Sequence, residues 1–396
     1  MKILVALVLC ALAVDEGLSQ ETAAIQADTA YIEYSDPPLT LPLGLGFRVP
    51  SYDRVNGLSL PWGPKLRLGN DRIEIDAIVT YRSNLGDLDP SIEAEFRPGY
   101  GNELEVFVGR GTFTNDAWIR SGLVNSAAVL FFGSDARNYY RADRAEARFT
   151  RTLTISATTL TPFIGGNIEE GWSTGSLDPE RWPWSAFGRN GDLKMRRPNP
   201  PVFEGRINSA LAGTGLELFR GELEARLEGT VEHAFKSPWL ACVISGCTMT
   251  DESFTQGTVH ATVNFPTFGT QTFAFRTHAV LGGDFVPPQR YAYVGGAGSL
   301  PTVDLLSLGG DRLFFAEADY KIPLERIVIR PVGSPFLALH YAAGSAGIGE
   351  LPRLIQNLGV GAGISLLRVD YSIDPASERS GFSRRSAFSA GLALSF

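Results

Sequence analysis

The chain has 396 residues and a formal net charge of −8, with 43 Gly, 24 Phe and 12 Tyr against only 4 His and 3 Met. That balance favours a β-rich protein with tight turns, and the lack of any Lys/Arg run leaves no phosphate-tracking surface, which excludes nucleic acid as a partner. No stretch approaches the ~20 continuous apolar residues of a spanning helix, so a membrane role requires a closed barrel, the one sheet without an unpaired edge in lipid.

At the N-terminus, Lys2 followed by Ile3 to Ala13 reads as a signal peptide with a short apolar core. Ala11-Leu12-Ala13 fits a small-x-small cleavage site, and cleavage nearer Gln20 is the alternative. The expected division is therefore a signal peptide over 1–20, a short periplasmic segment over 21–40 and the body of the protein over 41–396. Cys10 follows Leu9, a residue too large for a good lipoprotein site.

From about Leu41 the chain repeats one theme, roughly ten alternating residues and then a turn. Strands are predicted at 41–50, 54–65, 71–81, 90–97, 103–113, 139–151, 155–165, 203–215, 222–233, 254–265, 270–281, 311–322, 334–343, 357–364, 366–373 and 385–396. In the segment Glu222 to Glu232, Leu223, Ala225, Leu227, Gly229 and Val231 share one face, and charged residues with Thr230 share the other. Arg144 to Arg151 and Glu103 to Val108 repeat the pattern. The alternative is a soluble sheet with one wet face. Against it, no helix-rich segment covers the sheet, and the wet faces carry both charge signs, as a lumen would. The connections 114–138, 166–202, 234–253, 282–310 and 344–356 fall on one side and are mostly long, while the turns on the other side are shorter. Leu123 to Phe132 is apolar enough for a short helix or a plug, Trp172, Trp182 and Trp184 cluster in one long connection, and Glu350 to Gln356 suits one or two helical turns.

Cys242 and Cys247 lie in SPWLACVISGC. Zinc would need two more ligands, so a small loop-closing disulfide is expected, with two free thiols as the alternative. The last stretch, Ser386 to Phe396, places Phe388, Ala390, Leu392, Leu394 and Phe396 on one face and small or polar residues on the other. The spacing Ser389-x-Gly391-x-x-Leu394-x-Phe396 is similar to the C-terminal signal of bacterial outer-membrane barrels. The fold expected is all-β: a transmembrane antiparallel β-barrel of about 16 strands in the bacterial outer membrane.

Several stretches, in shared order, resemble the BamA/TamA-type surface-antigen family, in particular its members without POTRA domains. They are SYDRVNGLSL (Ser51 to Leu60), SAAVLFFGSDARNYYRADRAEA (Ser126 to Ala147), RYAYVGGAGSL (Arg290 to Leu300) and GGDRLFFAEADYKIPL (Gly309 to Leu324). The resemblance implies a seam between first and last strands and an inward-folded sixth external loop touching the lumen wall. The positions concerned are Gly295, Gly296 and Gly298 in the loop and Glu317 and Asp319 on the wall. Two departures stand out. Pro301-Thr302-Val303 replaces the family's Arg-Gly-aromatic tip, so Glu317 and Asp319 need another partner, Lys321 or water. Only about 30 to 40 residues precede the barrel, too few for a POTRA domain of the kind that receives clients.

The resemblance implies a role in protein or lipid insertion or export, with a passive pore or structural barrel as the alternative. Its partners would be outer-membrane lipid, the barrel-assembly machinery for its own insertion and a separate periplasmic chain. Catalytic residues, metal ligands and cofactors are not expected. His233, His260, His278 and His340 fall on different strands, and there is no Gly-x-Ser-x-Gly elbow or His-x-x-x-His pair. A Ser-His pair across strands would make the chain a lipid-modifying enzyme, with His278 as the best placed of the four.

Overall fold

The structure is a computed structural model describing residues 39–69, 71–174, 184–188, 197–243, 246–330, 333–365, 367–376 and 383–392. The expected signal peptide, most of the 21–40 segment, Trp182, Leu394 and Phe396 lie outside the described residues.

Alternation becomes strand along the whole chain. The strands are β1 (Leu39–Thr40), β2 (Ser51–Asp53), β3 (Gly57–Trp62), β4 (Lys65–Leu68), β5 (Ile73–Arg82), β6 (Asp87–Gly99), β7 (Asn102–Phe113), β8 (Tyr140–Arg151), β9 (Leu153–Ile155), β10 (Thr158–Trp172), β11 (Gly205–Arg220), β12 (Leu223–Val243), β13 (Gly246–Pro266), β14 (Thr272–Gly282), β15 (Ala292–Val294), β16 (Leu308–Gly310), β17 (Arg312–Pro323), β18 (Pro335–Gly347), β19 (Ile355–Ile364), β20 (Leu367–Ile373) and β21 (Ser386–Leu392). All but β15 and β16 belong to one antiparallel sheet in which sequence neighbours pair. Short strands merge into longer staves. Among the described residues the staves are β1–β2, β3–β4, β5, β6, β7, β8–β9, β10, β11, β12, β13, β14, β17, β18, β19, β20 and β21, which is sixteen. No pairing between β21 and the first stave occurs among the described residues.

Period two sorts the two faces. Phe265, Phe273, Tyr320, Leu339 and Val360 are successive register partners and form an apolar row around the outside. Ile92, Val108, Ile164, Val231, Val259 and Phe388, all outward, are likewise exposed. The inner face is charged and paired. Arg141 meets Asp89 at 2.7 Å, Arg82 meets the same carboxylate at 2.9 Å, and Arg97 meets Glu103 at 2.9 Å. An apolar outside and a polar inside is the reverse of a soluble sheet's burial and matches a barrel in lipid. No helix among the described residues is long and apolar enough to cross a membrane.

Three predicted elements are corrected. The strand expected at 41–50 is broken by a 3-10 turn at Pro42–Gly44, because Pro42 removes a donor and Gly44 takes a positive φ. The stave still runs along β3–β4, with the Gly63 N–H donating to Gly46 O at 2.8 Å and the Arg48 N–H to Pro61 O at 3.0 Å. The expected loop 234–253 is not a loop. After a register shift between Ala234 and Ser237, β12 and β13 pair up to Val243 and Gly246, forming a ribbon beyond the point where β11 and β14 stop. The helical turn expected at 350–356 is absent, and Ile355 already begins β19. The helix expected at 123–132 is α1 (Gly122–Phe132), capped by the Ser121 hydroxyl and ended by Gly133 in the left-handed region.

Because the outer face is the lipid face, a charge placed there costs far more than one placed inside. Leu339→Arg is expected to lower folding stability in lipid vesicles by about 2–4 kcal/mol. Thr230→Arg, on the inner face, is expected to lose much less; equal losses in urea titrations would contradict this assignment of faces.

Candidate functional site in the sixth loop and lumen wall

The segment between β14 and β17 is the sixth connection on its side of the barrel, and it folds into the lumen. It leaves as the β15–β16 ribbon. Gly295, Gly296 and Gly298 hold φ values of +131°, +85° and +98°, which side-chain-bearing residues rarely adopt. They turn the chain so that the Gly296 N–H donates to Leu300 O and Val303 O, both at 3.0 Å. Leu300 and Val303 then bury among the inward Leu313, Phe315, Ala342 and Ala346 of β17 and β18. The glycine cluster thus serves a tight approach, as the resemblance implies.

Three anchors hold this loop. The first is Arg290, only 7% exposed although it is a loop residue. Its Nη1 donates to Glu169 Oε1 at 2.8 Å and to Tyr140 Oη at 2.9 Å, and its Nε to Glu232 Oε2 at 3.0 Å. Glu169 also accepts from Arg144. One guanidinium therefore joins staves β10 and β12 across the lumen face of β11. The second anchor is Arg276 of β14, which pairs with Glu317 and donates to Gly298 O at 2.9 Å and Ile119 O at 3.3 Å. Arg120 adds a bond to Ala297 O at 2.7 Å. The third is neutral. Thr302 N–H and Oγ1 donate to Asn357 Oδ1 at 3.0 and 3.1 Å, and Asn357 Nδ2 returns a bond to Thr302 Oγ1 at 2.8 Å. Asn357 lies on β19, so the loop reaches from β10 and β12 to β19. Beyond it, the Arg384 N–H donates to Thr302 O at 2.7 Å, and Arg384 pairs with Asp304.

The third connection braces the loop from outside. Asn115 Nδ2 donates to Gln289 O at 2.7 Å, and the buried Asp116 accepts from the Asn138 N–H at 2.8 Å and the Tyr293 N–H at 3.3 Å. Burial pushes the Asp116 carboxyl up to about 7, against the pull of the Asn138 N–H and of Arg197.

Glu317 and Asp319 both point inward, but they do not act together. Glu317 reaches the loop through Arg276, whereas Asp319 pairs with Arg368 of β20 at 2.6 Å. Lys321 is not their partner, since its Nζ sits 4.5 Å above the Phe336 ring. Arg276 stands on the stave next to Glu317, and Arg368 lies beyond β18 and β19 from Asp319, so spacing along one strand reaches neither partner. Arg290 was also missed as an anchor, although it opens the RYAYVGGAGSL stretch; an inward Glu232 and Glu169 flanking one stave were the available signal.

In the last strand, Phe388 faces out and Ser389 and Gly391 face in, opposite Tyr371, Asp370 and Arg368 of β20. A Cβ on Gly391 would meet nothing within 4 Å, so packing does not demand glycine there. Cys242 and Cys247 are register partners at the ribbon tip and are joined by a disulfide.

The histidines separate too. His278 stacks on Trp118, with centroids 4.4 Å apart, and faces His260. His340 Nε2 lies 3.0 Å from Ser372 Oγ, and its Nδ1 lies 3.8 Å from Asp370 Oδ1. This has the order of a nucleophilic triad without its geometry. The His–Asp separation exceeds a hydrogen bond, Asp370 is taken by Arg368 at 2.7 Å, and Ser372 is fully buried.

No family model matches the chain, and no curated protein does. Among solved structures, BamA from Haemophilus ducreyi lacking POTRA domains 1–3 aligns over 87% of this chain and 69% of its own, at 12% identity and a TM-score of 0.50. The fold is that of a BamA-type barrel. With it, the expected barrel fold is borne out. CdiB from Escherichia coli aligns over 90% of this chain at 9% identity and a TM-score of 0.48, and CdiB from Acinetobacter baumannii over 87% at 12% and 0.46. This chain spans 62% and 58% of those two CdiB chains.

Removing the Arg290 guanidinium leaves Glu232 without its partner and the buried Glu169 with Arg144 alone. Arg290→Ala is expected to destabilise the folded barrel by about 3–5 kcal/mol and to expose 295–306 to protease. The double change with Glu232→Gln should recover part of that loss; unchanged stability in Arg290→Ala would remove the clasp from the account.

The raised Asp116 also sets a pH response. A carboxyl with a higher folded-state pKa holds its proton more tightly when folded, so its stabilisation is complete below about 4 and is lost as pH rises through about 7. A nitroxide attached at Ser307→Cys should therefore become more mobile as pH rises across that window, and Asp116→Asn should flatten the response.

Proposed function

We propose that this chain is an outer-membrane barrel of the BamA/TamA type that acts in inserting or exporting protein or lipid. The observation that carries the reading is the sixth loop, seated in the lumen by its Arg290 and Thr302, which reach Glu169 of β10 and Asn357 of β19, and by Arg276 of β14. A loop fixed by anchors on opposite walls holds the barrel's shape and blocks free passage, which suits a wall that opens sideways better than an open channel. The apolar outer face would contact outer-membrane lipid, and the barrel-assembly machinery would insert the chain. A separate periplasmic partner would receive clients.

A passive or structural barrel is the second reading. Pro301-Thr302-Val303 at the loop tip favours it, because a neutral Thr302–Asn357 pair replaces a charged one there. Two measurements separate the readings. Planar-bilayer recordings should give silence with brief flickers under the first reading, and large steady steps under a pore. Cysteine pairs placed between the first stave (β1–β2) and β21 should, when oxidised, stop client assembly into vesicles and release it on reduction. Full assembly activity with the crosslink closed would end the lateral-opening reading.

A further inference from the structure

We propose that His260 and His278 form a two-imidazole lumen site for a late first-row divalent cation such as Zn2+, Ni2+ or Cu2+, with Glu228 on the adjoining stave outside its ligand set. The three residues are successive register partners. Glu228 of β12 stands opposite His260 of β13, which stands opposite His278 of β14. All three therefore share the inward face at one level of the barrel. The two imidazole centroids lie 5.6 Å apart. With metal–nitrogen bonds of about 2.0–2.1 Å, two imidazoles sharing one tetrahedral ion have centroids roughly 5–5.5 Å apart. The strands thus hold the rings close to a ligating separation with no backbone movement.

The polar atoms here have no protein partner. Nδ1 of His260, Nδ1 of His278 and Nε1 of Trp118 are each buried without a hydrogen-bond partner among the described residues. His278 is 5% exposed, and Trp118 stacks over it at 4.4 Å. Buried polar atoms are nearly always satisfied, so orphan nitrogens on three adjoining rings point to a ligand that accepts from nitrogen lone pairs and offers a bound oxygen to the indole N–H. A hydrated metal ion does both. Imidazole suits this class of cation; Arg276 and, more weakly, Glu228 lie within electrostatic reach of His260. Arg276 lies two residues from His278 on the same face, but Glu317 and two loop carbonyls engage its charge. The neighbouring wall residue Phe315 is apolar and tilted onto Trp118, which closes the site on that side.

Trp118 makes the site observable. Cu2+ titrated into the full-length protein folded in detergent should quench part of the tryptophan fluorescence saturably, and Trp118→Phe should remove that part. Zn2+ should raise the unfolding temperature. His260→Gln and His278→Gln should each weaken Zn2+ binding at least tenfold by calorimetry, while His233→Gln, at a histidine on a different stave, should not. If His278→Gln does not fold, His260→Gln, at the half-buried position, decides alone. Saturable binding that survives the change at His260, or no saturable binding by either metal in the folded barrel, overturns the site. Loss of stability in the histidine variants with no metal response in the parent protein would show the pair to be structural packing and would overturn it equally.

Discussion

A guanidinium is tolerated inside a protein only where carboxylates meet it, and Arg290 imposes that condition on the upper barrel. Its two carboxylates come from staves separated by another, so satisfying one loop residue fixes the relative height of β10 and β12. Glu169 is shared with Arg144, and Tyr140 bonds to both arginines, which extends the requirement to β8. The loop is therefore part of the wall's electrostatics. Taking it out would remove the cation from carboxylates on two staves, Glu169 of β10 and Glu232 of β12, and this explains how a segment rich in glycine remains in a single place.

The legibility of the chain divides along a physical line. Strands are local: period two separates Leu227 from Glu228 whatever lies next to them, so each predicted stave has its counterpart. The failures are also local. Pro42 and Gly44 break a strand whose hydrophobicity suggested continuity, and the 234–253 segment looked like a loop because a register shift at Ala234 to Ser237 reverses the apparent alternation. The partners were harder to read. Arg276 is 41 residues from Glu317, and Arg290 is 121 from Glu169. Such pairs are neighbours only after the stave order and register are known. Asp116 carried no signal, because its role depends on two backbone N–H groups that any residue could offer.

The inferred metal site obeys the same logic. Spacing along one strand offered no histidine pair. Register offers one, because β13 and β14 are joined by a short turn, and positions 260 and 278 then fall opposite each other. Cross-strand adjacency in an antiparallel sheet does for a lumen what spacing of three or four residues does for a helix surface.

The two ends of the sixth loop are anchored in different ways, and the difference follows from the wall beneath them. On β10 and β12 the inner face carries carboxylates that require a cation. On β19 it carries Asn357 followed by Gly359, Gly361 and Gly363. A Cβ at Gly359 would collide with the His340 ring, at Gly361 with Asp370, and at Gly363 with Phe336. Side chains of β18 and β20 thus lie over a strand with almost no inner face of its own, and strand glycines pack weakly and lose more entropy on ordering. The staves leading to β21 are consequently held by contacts that reach across β19, and by a neutral hydrogen-bonded pair at the loop tip. Releasing Thr302 from Asn357 strands no charge, whereas releasing Arg290 strands several. If one side of this barrel yields first, the energetics place the yielding side at β19 to β21.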